Sequence, residues 1–223
     1  MREKIKKTMQ HPLISGSAII FIGTNLGNVF NFLYNLFMIN NLTPVDYGIL
    51  VSLISILALF SQVADSMTPF IVNYAAIYFA KKELGKVKSL FFKVTKIAIF
   101  VGGIVLFALV VFSTQISSFL NIHDNRLIFI LAVTILFGFI GTVNRGFLQA
   151  KLSFTFLSLI VFLGAVLKFV SGAVLVWEGF RVGGALFAFI ISFLAPYLLS
   201  FIPFRKILSK HQEKSHVDLR SMM

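Results

Sequence analysis

The sequence predicts an all-α protein, a polytopic membrane helix bundle of about six transmembrane helices. Three observations predict it. Of the 223 residues, 58% are apolar and only 13% are charged, whereas a soluble domain carries about 25% charged residues. A soluble core of this size cannot hide so much apolar surface, so lipid must cover part of it. The apolar residues also come in long runs, and the chain has room for six runs of roughly 20 residues with short connections. Finally, Lys and Arg cluster in alternate connections, as cytoplasmic loops do. The 27 Phe residues suit a lipid-facing surface.

The elements follow in order. Residues 1–11 carry Arg2, Lys4, Lys6 and Lys7 and read as a basic cytoplasmic N-terminus. No Ala-x-Ala-like cleavage site follows, so the next apolar run, 12–40, is a retained first span rather than a signal peptide. The second span, 47–80, exceeds the hydrocarbon thickness, and Pro69 is expected to kink it. Spans three to six are expected at 97–119, 127–148, 154–177 and 182–204, which makes 12–204 a single transmembrane lobe. Residues 205–223 form a basic cytoplasmic tail, expected to be frayed.

The side of each connection follows from its charge. Lys81, Lys82, Lys86, Lys88, Lys93 and Lys96 surround the second connection, Arg145 and Lys151 the fourth, and Arg205, Lys206, Lys210, Lys214 and Arg220 lie in the tail. The opposite side has only Arg126 and Arg181. The positive-inside rule therefore puts both termini in the cytoplasm and the chain in the cytoplasmic membrane.

Polar residues inside the spans mark the faces that meet protein or water. Asn25, Asn28, Asn31 and Asn35 share about a third of the first helix's circumference. They read either as interhelical hydrogen bonding or as the wall of a hydrated cavity. Gln62, Asp65, Pro69 and Asn73 share a face of the second span. An Asp at membrane depth costs about 2.5–3.5 kcal/mol on insertion scales, so Asp65 is expected to be paired, protonated or wet. Arg145 lies toward the cytoplasmic end of the fourth span, on the face of Thr134, Gly138, Gly141 and Gln149, where it can simply snorkel. Lys168 sits mid-span, too deep to snorkel easily, and reads either as a functional cation or as a structural partner of Asp65. Gly164, Ser171 and Gly172 on its face admit a close neighbour. Gly184, Ala188, Ser192 and Pro196 recur every fourth residue in the sixth span, a close-packing pattern.

Other function classes find little support. The net charge of +12 lies in short segments between apolar runs, not in a stripe on a soluble face, which disfavours nucleic acid. There are no cysteines, and His11, His123, His211 and His216 all lie outside the spans, so no metal site or other cofactor is expected. Gly102-Gly103 and Gly183-Gly184 lack the strand–loop–helix setting of a phosphate loop. No set of residues reads as catalytic, and an enzyme is not expected.

Three stretches carry a family resemblance. Asn41-Leu-Thr-Pro-Val-Asp-Tyr-Gly48 resembles an L-G-P-x-x-Y-G turn, with Thr43 where the pattern has Gly. Arg145-Gly-Phe-Leu-Gln-Ala-Lys-Leu-Ser-Phe154 is similar to R-G-x-L-x-G-x-x-x-F. Trp177-Glu-Gly-Phe-Arg-Val-Gly-Gly-Ala185 resembles the G-x-G-V-x-G-A start of a sixth span. Their order and spacing resemble the N-terminal half of the oligosaccharide flippases. These are Wzx-type polysaccharide biosynthesis proteins related to the multidrug and toxin extrusion transporters. The family has two similar lobes where this chain has one, so a second lobe or a second copy is an expected partner, besides membrane lipid.

The resemblance implies that a lipid-linked oligosaccharide is moved across the cytoplasmic membrane. Its anionic diphosphate and sugar head must cross about 30 Å of hydrocarbon. On that reading Lys168 and Arg145 neutralise the phosphates. The amides of Asn25, Asn28, Asn31 and Asn35 replace water around the sugar, and Gln62, Asp65 and Asn73 are further substrate-binding candidates. The alternatives are a drug or cation exporter of the related superfamily, with Asp65 binding the coupling ion and Lys168 as its partner, and a non-transporting scaffold of a glycan-synthesis complex.

Overall fold

The structure is a computed structural model and describes residues 12–122 and 124–209. The basic N-terminus, residues 210–223 of the tail and all four histidines lie outside the described residues. Every regular element among those described is helical. They are α1 (Pro12–Asn41), α2 (Pro44–Asp65), α3 (Thr68–Ala80), α4 (Leu84–Val111), the short α5 (Ser113–Phe119), α6 (Arg126–Ala150), α7 (Phe154–Leu175) and α8 (Arg181–Ser209). A π-helical turn, Val176–Phe180, joins the last two.

Local sequence explains the joints. Thr43 caps α2 by accepting the Asp46 backbone N–H at 3.2 Å, and Pro44 fills the first turn, where no backbone donor is needed. The Thr43-Pro44 pair thus makes a helix start in place of a glycine turn. The expected kink in the second span is a break at Ser66–Met67, with Pro69 in the first turn of α3 rather than inside a continuous helix. At the far turn Gly179 takes φ 90° and Arg181 φ 47°, which reverses the chain. Arg181 Nε then reaches Asp46 Oδ2 at 3.3 Å and ties the start of α8 to the start of α2.

Four stretches are long and apolar enough to cross a bilayer: Pro44–Ala80, Leu84–Val111, Arg126–Ala150 and Phe154–Ser200. The sequence reading counts six passes, and the difference arises in two places. Phe154–Ser200 holds two helices folded back on each other at Gly179. α1, at 30 residues, is long enough to cross a bilayer as well. The bundle consequently has six long rods, with the 80–84 and 150–154 connections at one end and the 41–44 and 175–181 connections at the other.

Two expected boundaries are corrected. The third rod starts at Leu84, not at residue 97. Val87, Leu90, Phe91, Val94 and Ala98 are buried at helical spacing, so this segment folds as helix although its lysines lower its hydropathy. It breaks at Phe112, leaving α5 as a separate turn. The last rod continues through 205–209, part of the segment expected to fray.

α6 is the hub. It is buried on nearly every side and packs against α3, α4 and α8. α1 lies along α7, and α7 along α8. Small residues allow the close approach: a methyl on Gly164 would stand 3.1 Å from the Ser192 carbonyl oxygen, and one on Gly184 2.8 Å from Leu175 Cβ. The four-residue pattern of Gly184, Ala188, Ser192 and Pro196 is thus a packing seam, as its spacing suggests. Outward, Phe100 and Phe107 of α4 and Phe21 and Phe32 of α1 are exposed, as lipid-facing residues would be.

Candidate functional site

α1, α6, α7 and α8 line a half-open chamber of about 220 Å³. Its polar lining comes from Asn31, Asn144, Arg145, Lys168, Ser192, Tyr197 and Ser200, and no acidic residue lines it among the described residues. A second, more open groove of about 800 Å³ lies beside it, against α3 and the adjoining ends of α1, α2, α6 and α7. Asp65, Asn73, Gln149 and Thr24 supply its polar groups. Arg145 and Val161 line both spaces and stand where they meet.

Lys168 is held by aromatic faces. Its Nζ lies 4.8 Å from the Tyr34 ring centroid and 4.7 Å from that of Phe189, and the two rings meet edge to face. Each ring attracts the ammonium through its quadrupole. No carboxylate pairs with Lys168 among the described residues. Tyr34 is fully buried and donates its hydroxyl proton to the Ala185 carbonyl at 2.9 Å, which fixes the ring beneath the lysine. Tyr34→Phe keeps the ring and removes that bond. The expected cost is about 0.5–1.5 kcal/mol, read as a fall of a few degrees in the thermal unfolding midpoint in detergent.

Arg145 is the partner of Asp65. Arg145 Nη2 lies 3.9 Å from Asp65 Oδ1, and the side chains are 42% and 53% exposed. Thr142 sits between them: its Oγ1 accepts from Arg145 Nη2 at 3.3 Å and lies 3.3 Å from Asp65 Oδ1. The structural alternative of a Lys168–Asp65 pair is therefore corrected. The cause is packing: α2, which carries Asp65, lies against α6, which carries Arg145, and both residues line the groove, whereas Lys168 lines only the chamber.

The expected site residues divide into three groups. Asn31, Arg145 and Lys168 share the chamber. Asp65 and Asn73 share the groove with Arg145. Asn25, Asn28, Asn35 and Gln62 line neither space and are exposed. The asparagine stripe of α1 lies roughly 100° around the helix from its packed face of Gly23, Gly27, Tyr34 and Met38, so only Asn31, at the edge, turns inward. The Asn25 amide donates to its own Phe21 carbonyl at 2.7 Å.

Sequence reasoning missed Asn144 and Ser200. The buried Asn144 amide donates to Ser200 Oγ, which donates to the Tyr197 carbonyl at 2.6 Å, and this pins α6 to α8 at the chamber wall. An amide beside Arg145 in an apolar helix is a usable signal, because a buried amide needs a partner.

Among the described residues no group of His, Cys, Asp and Glu could hold a metal ion. The fold and the cleft define a class: an all-helical membrane bundle with a polar, cation-bearing cleft between its rods. No protein-family model and no curated protein matches the chain. Solved structures do match. One is a MOP superfamily transporter from Pyrococcus furiosus, described by a reverse polarity of its binding pocket that suggests a different function. It shares 15% identity at a TM-score of 0.68. Another is an outward-facing multidrug resistance transporter of the MATE family, also of the MOP superfamily, with 14% identity and a TM-score of 0.69. Each match covers 95% of this chain and 48% of the other, so the chain spans about half the length of these transporters. At such identity the likeness is one of fold: the bundle is similar to one lobe of a MOP superfamily transporter.

Proposed function

We propose that the chain is one lobe of a membrane transporter that moves a lipid-linked oligosaccharide across the cytoplasmic membrane. The observation that carries this reading is the chamber: two cations, Lys168 and Arg145, face it with amides and hydroxyls and without an acid. A diphosphate leaving water for a low-dielectric interior needs such fixed positive charge. The Asn31 and Asn144 amides and the Ser192 and Ser200 hydroxyls offer the neutral partners that sugar hydroxyls require.

Orientation supports the same reading. The lysines from Lys81 to Lys96 and Lys151 gather at the 80–84 and 150–154 end, whereas Arg181 at the other end is paired with Asp46. The positive-inside rule makes the lysine-rich end cytoplasmic, and the groove residues Asn73, Gln149 and Leu157 lie in that half. The exposed amides of Asn28 and Asn35 on α1 and of Gln62 on α2 would meet a second lobe, since membrane-embedded amides face protein or water.

Cells lacking the chain should accumulate lipid-linked oligosaccharide on the cytoplasmic leaflet, and re-expression should restore glycan export. Unchanged export with raised sensitivity to cationic drugs would replace this reading with a drug exporter. Asp65, half exposed in the larger groove, is the one observation that favours that alternative.

A further inference from the structure

The geometry points to Asp65 as a built-in counter-ion that an anionic ligand displaces from Arg145 on its way from the open groove into the chamber. The inference rests on the anion-transport reading and adds a residue that sets how tightly the anion is held. The ligand class is a phosphate-bearing anion, either a lipid headgroup or a free phosphate compound.

Four observations meet here. Arg145 and Val161 are the residues shared by the groove and the chamber, so passage between the two spaces runs past the guanidinium. Asp65 faces the groove only, and the chamber lining holds no acid. The Arg145–Asp65 contact is 3.9 Å, well beyond the 2.7–2.9 Å of a strong charge-assisted bond, and both side chains are about half exposed. Such a pair is weak and readily exchanged. Lys168, deeper in, has aromatic faces in place of a carboxylate and stays available to the same anion.

The chemistry is an exchange of partners. With no ligand, Asp65 lowers the local positive potential and gives Arg145 a partner through Thr142. A phosphate offers more acceptor oxygens and more charge than a single carboxylate, and it matches the planar guanidinium in a two-pronged contact. The anion therefore takes Arg145, Asp65 turns to the water of the groove, and the ligand passes on toward Lys168. The carboxylate also disfavours wrong occupancy, because a neutral lipid cannot displace it.

The test is binding to the purified full chain in detergent, with two probes: inorganic pyrophosphate and farnesyl diphosphate, with farnesol as the uncharged control. Asp65→Asn should tighten both anionic probes by about three- to fivefold, the scale of a half-exposed ion pair. The same substitution made in an Arg145→Gln background should have no effect, because the competitor's target is gone. Tightening of farnesyl diphosphate alone would assign the site to a lipid headgroup, and tightening of both would assign it to the phosphate group itself. Equal tightening with and without Arg145 would overturn the inference, since Asp65 would then act only by general repulsion. Wild-type binding that Asp65→Asn leaves unchanged or weakens would also overturn it while leaving the anion reading intact. Absence of binding in both wild type and Asp65→Asn would overturn both.

Discussion

Lys168→Ala is expected to reduce export to the background of cells that lack the chain, with the protein still present at normal abundance. The reason is that Lys168 is the chamber's deep cation and has no carboxylate partner to spare among the described residues. A hydrogen bond to a charged ligand contributes about 1.5–3 kcal/mol, or roughly ten- to a hundredfold in affinity. An anion in the chamber then lacks one of its two compensating charges. The fold should survive. Tyr34 keeps its bond to Ala185 at 2.9 Å and its edge-to-face contact with Phe189 at 5.6 Å. Lys168→Arg should keep part of the activity, because the charge stays while the compact ammonium is replaced by a larger planar group. The measurement is glycan export in a complementation strain beside the membrane abundance of each variant. Wild-type export by Lys168→Ala at equal abundance would sink the assignment.

The second large effect is expected in the seam between α1, α7 and α8. A methyl on Gly172 would lie 2.8 Å from Tyr34 Cε2, 2.9 Å from Met38 Cε and 3.3 Å from Ala188 Cβ. The methionine end can yield, but Tyr34 is pinned at its hydroxyl and fully buried, and Ala188 belongs to a packed helix. Overpacking of this kind costs about 1–3 kcal/mol for Ala, and Leu should prevent assembly of the seam. Gly103 is the control: nothing lies within 4 Å of a methyl added there, so Gly103→Ala should be neutral or stabilise by up to about 1 kcal/mol through helix propensity. Thermal unfolding in detergent and monodispersity on size exclusion separate the cases. A Gly172→Leu protein as stable as wild type would show that the seam is looser than these distances.

Much of the bundle was legible in the chain because lipid selects long apolar runs, and both α6 and α7 begin within a residue of their expected starts. The helix of lysines at 84–96 was not, since hydropathy treats Lys as a boundary although its straight side chain suits a helix. The site was legible by residue type more than by partner. The asparagine stripe of α1 is a real face, yet only Asn31 reaches the chamber, because the rotation of α1 against α7 is decided by Gly23, Gly27 and Tyr34. Asp65 was recognisable as a group in need of a partner. Choosing Arg145 over Lys168 required knowing that α2 packs against α6, which spacing within one helix does not contain.

The break at Ser66–Met67 has a structural consequence. One wall of the cleft, made by α1, α7 and α8, is stitched by glycine contacts and by the Tyr34–Ala185 bond. The opposite wall is carried by α3, which is joined to α2 only through that interruption, beside Asp65. The two walls are therefore attached differently: one is joined to its neighbours by close side-chain contacts along continuous rods, the other turns at Ser66–Met67 and rests on α6 and α4. Lys168 accordingly stands within an unbroken rod, whereas Asp65 is the last residue of one.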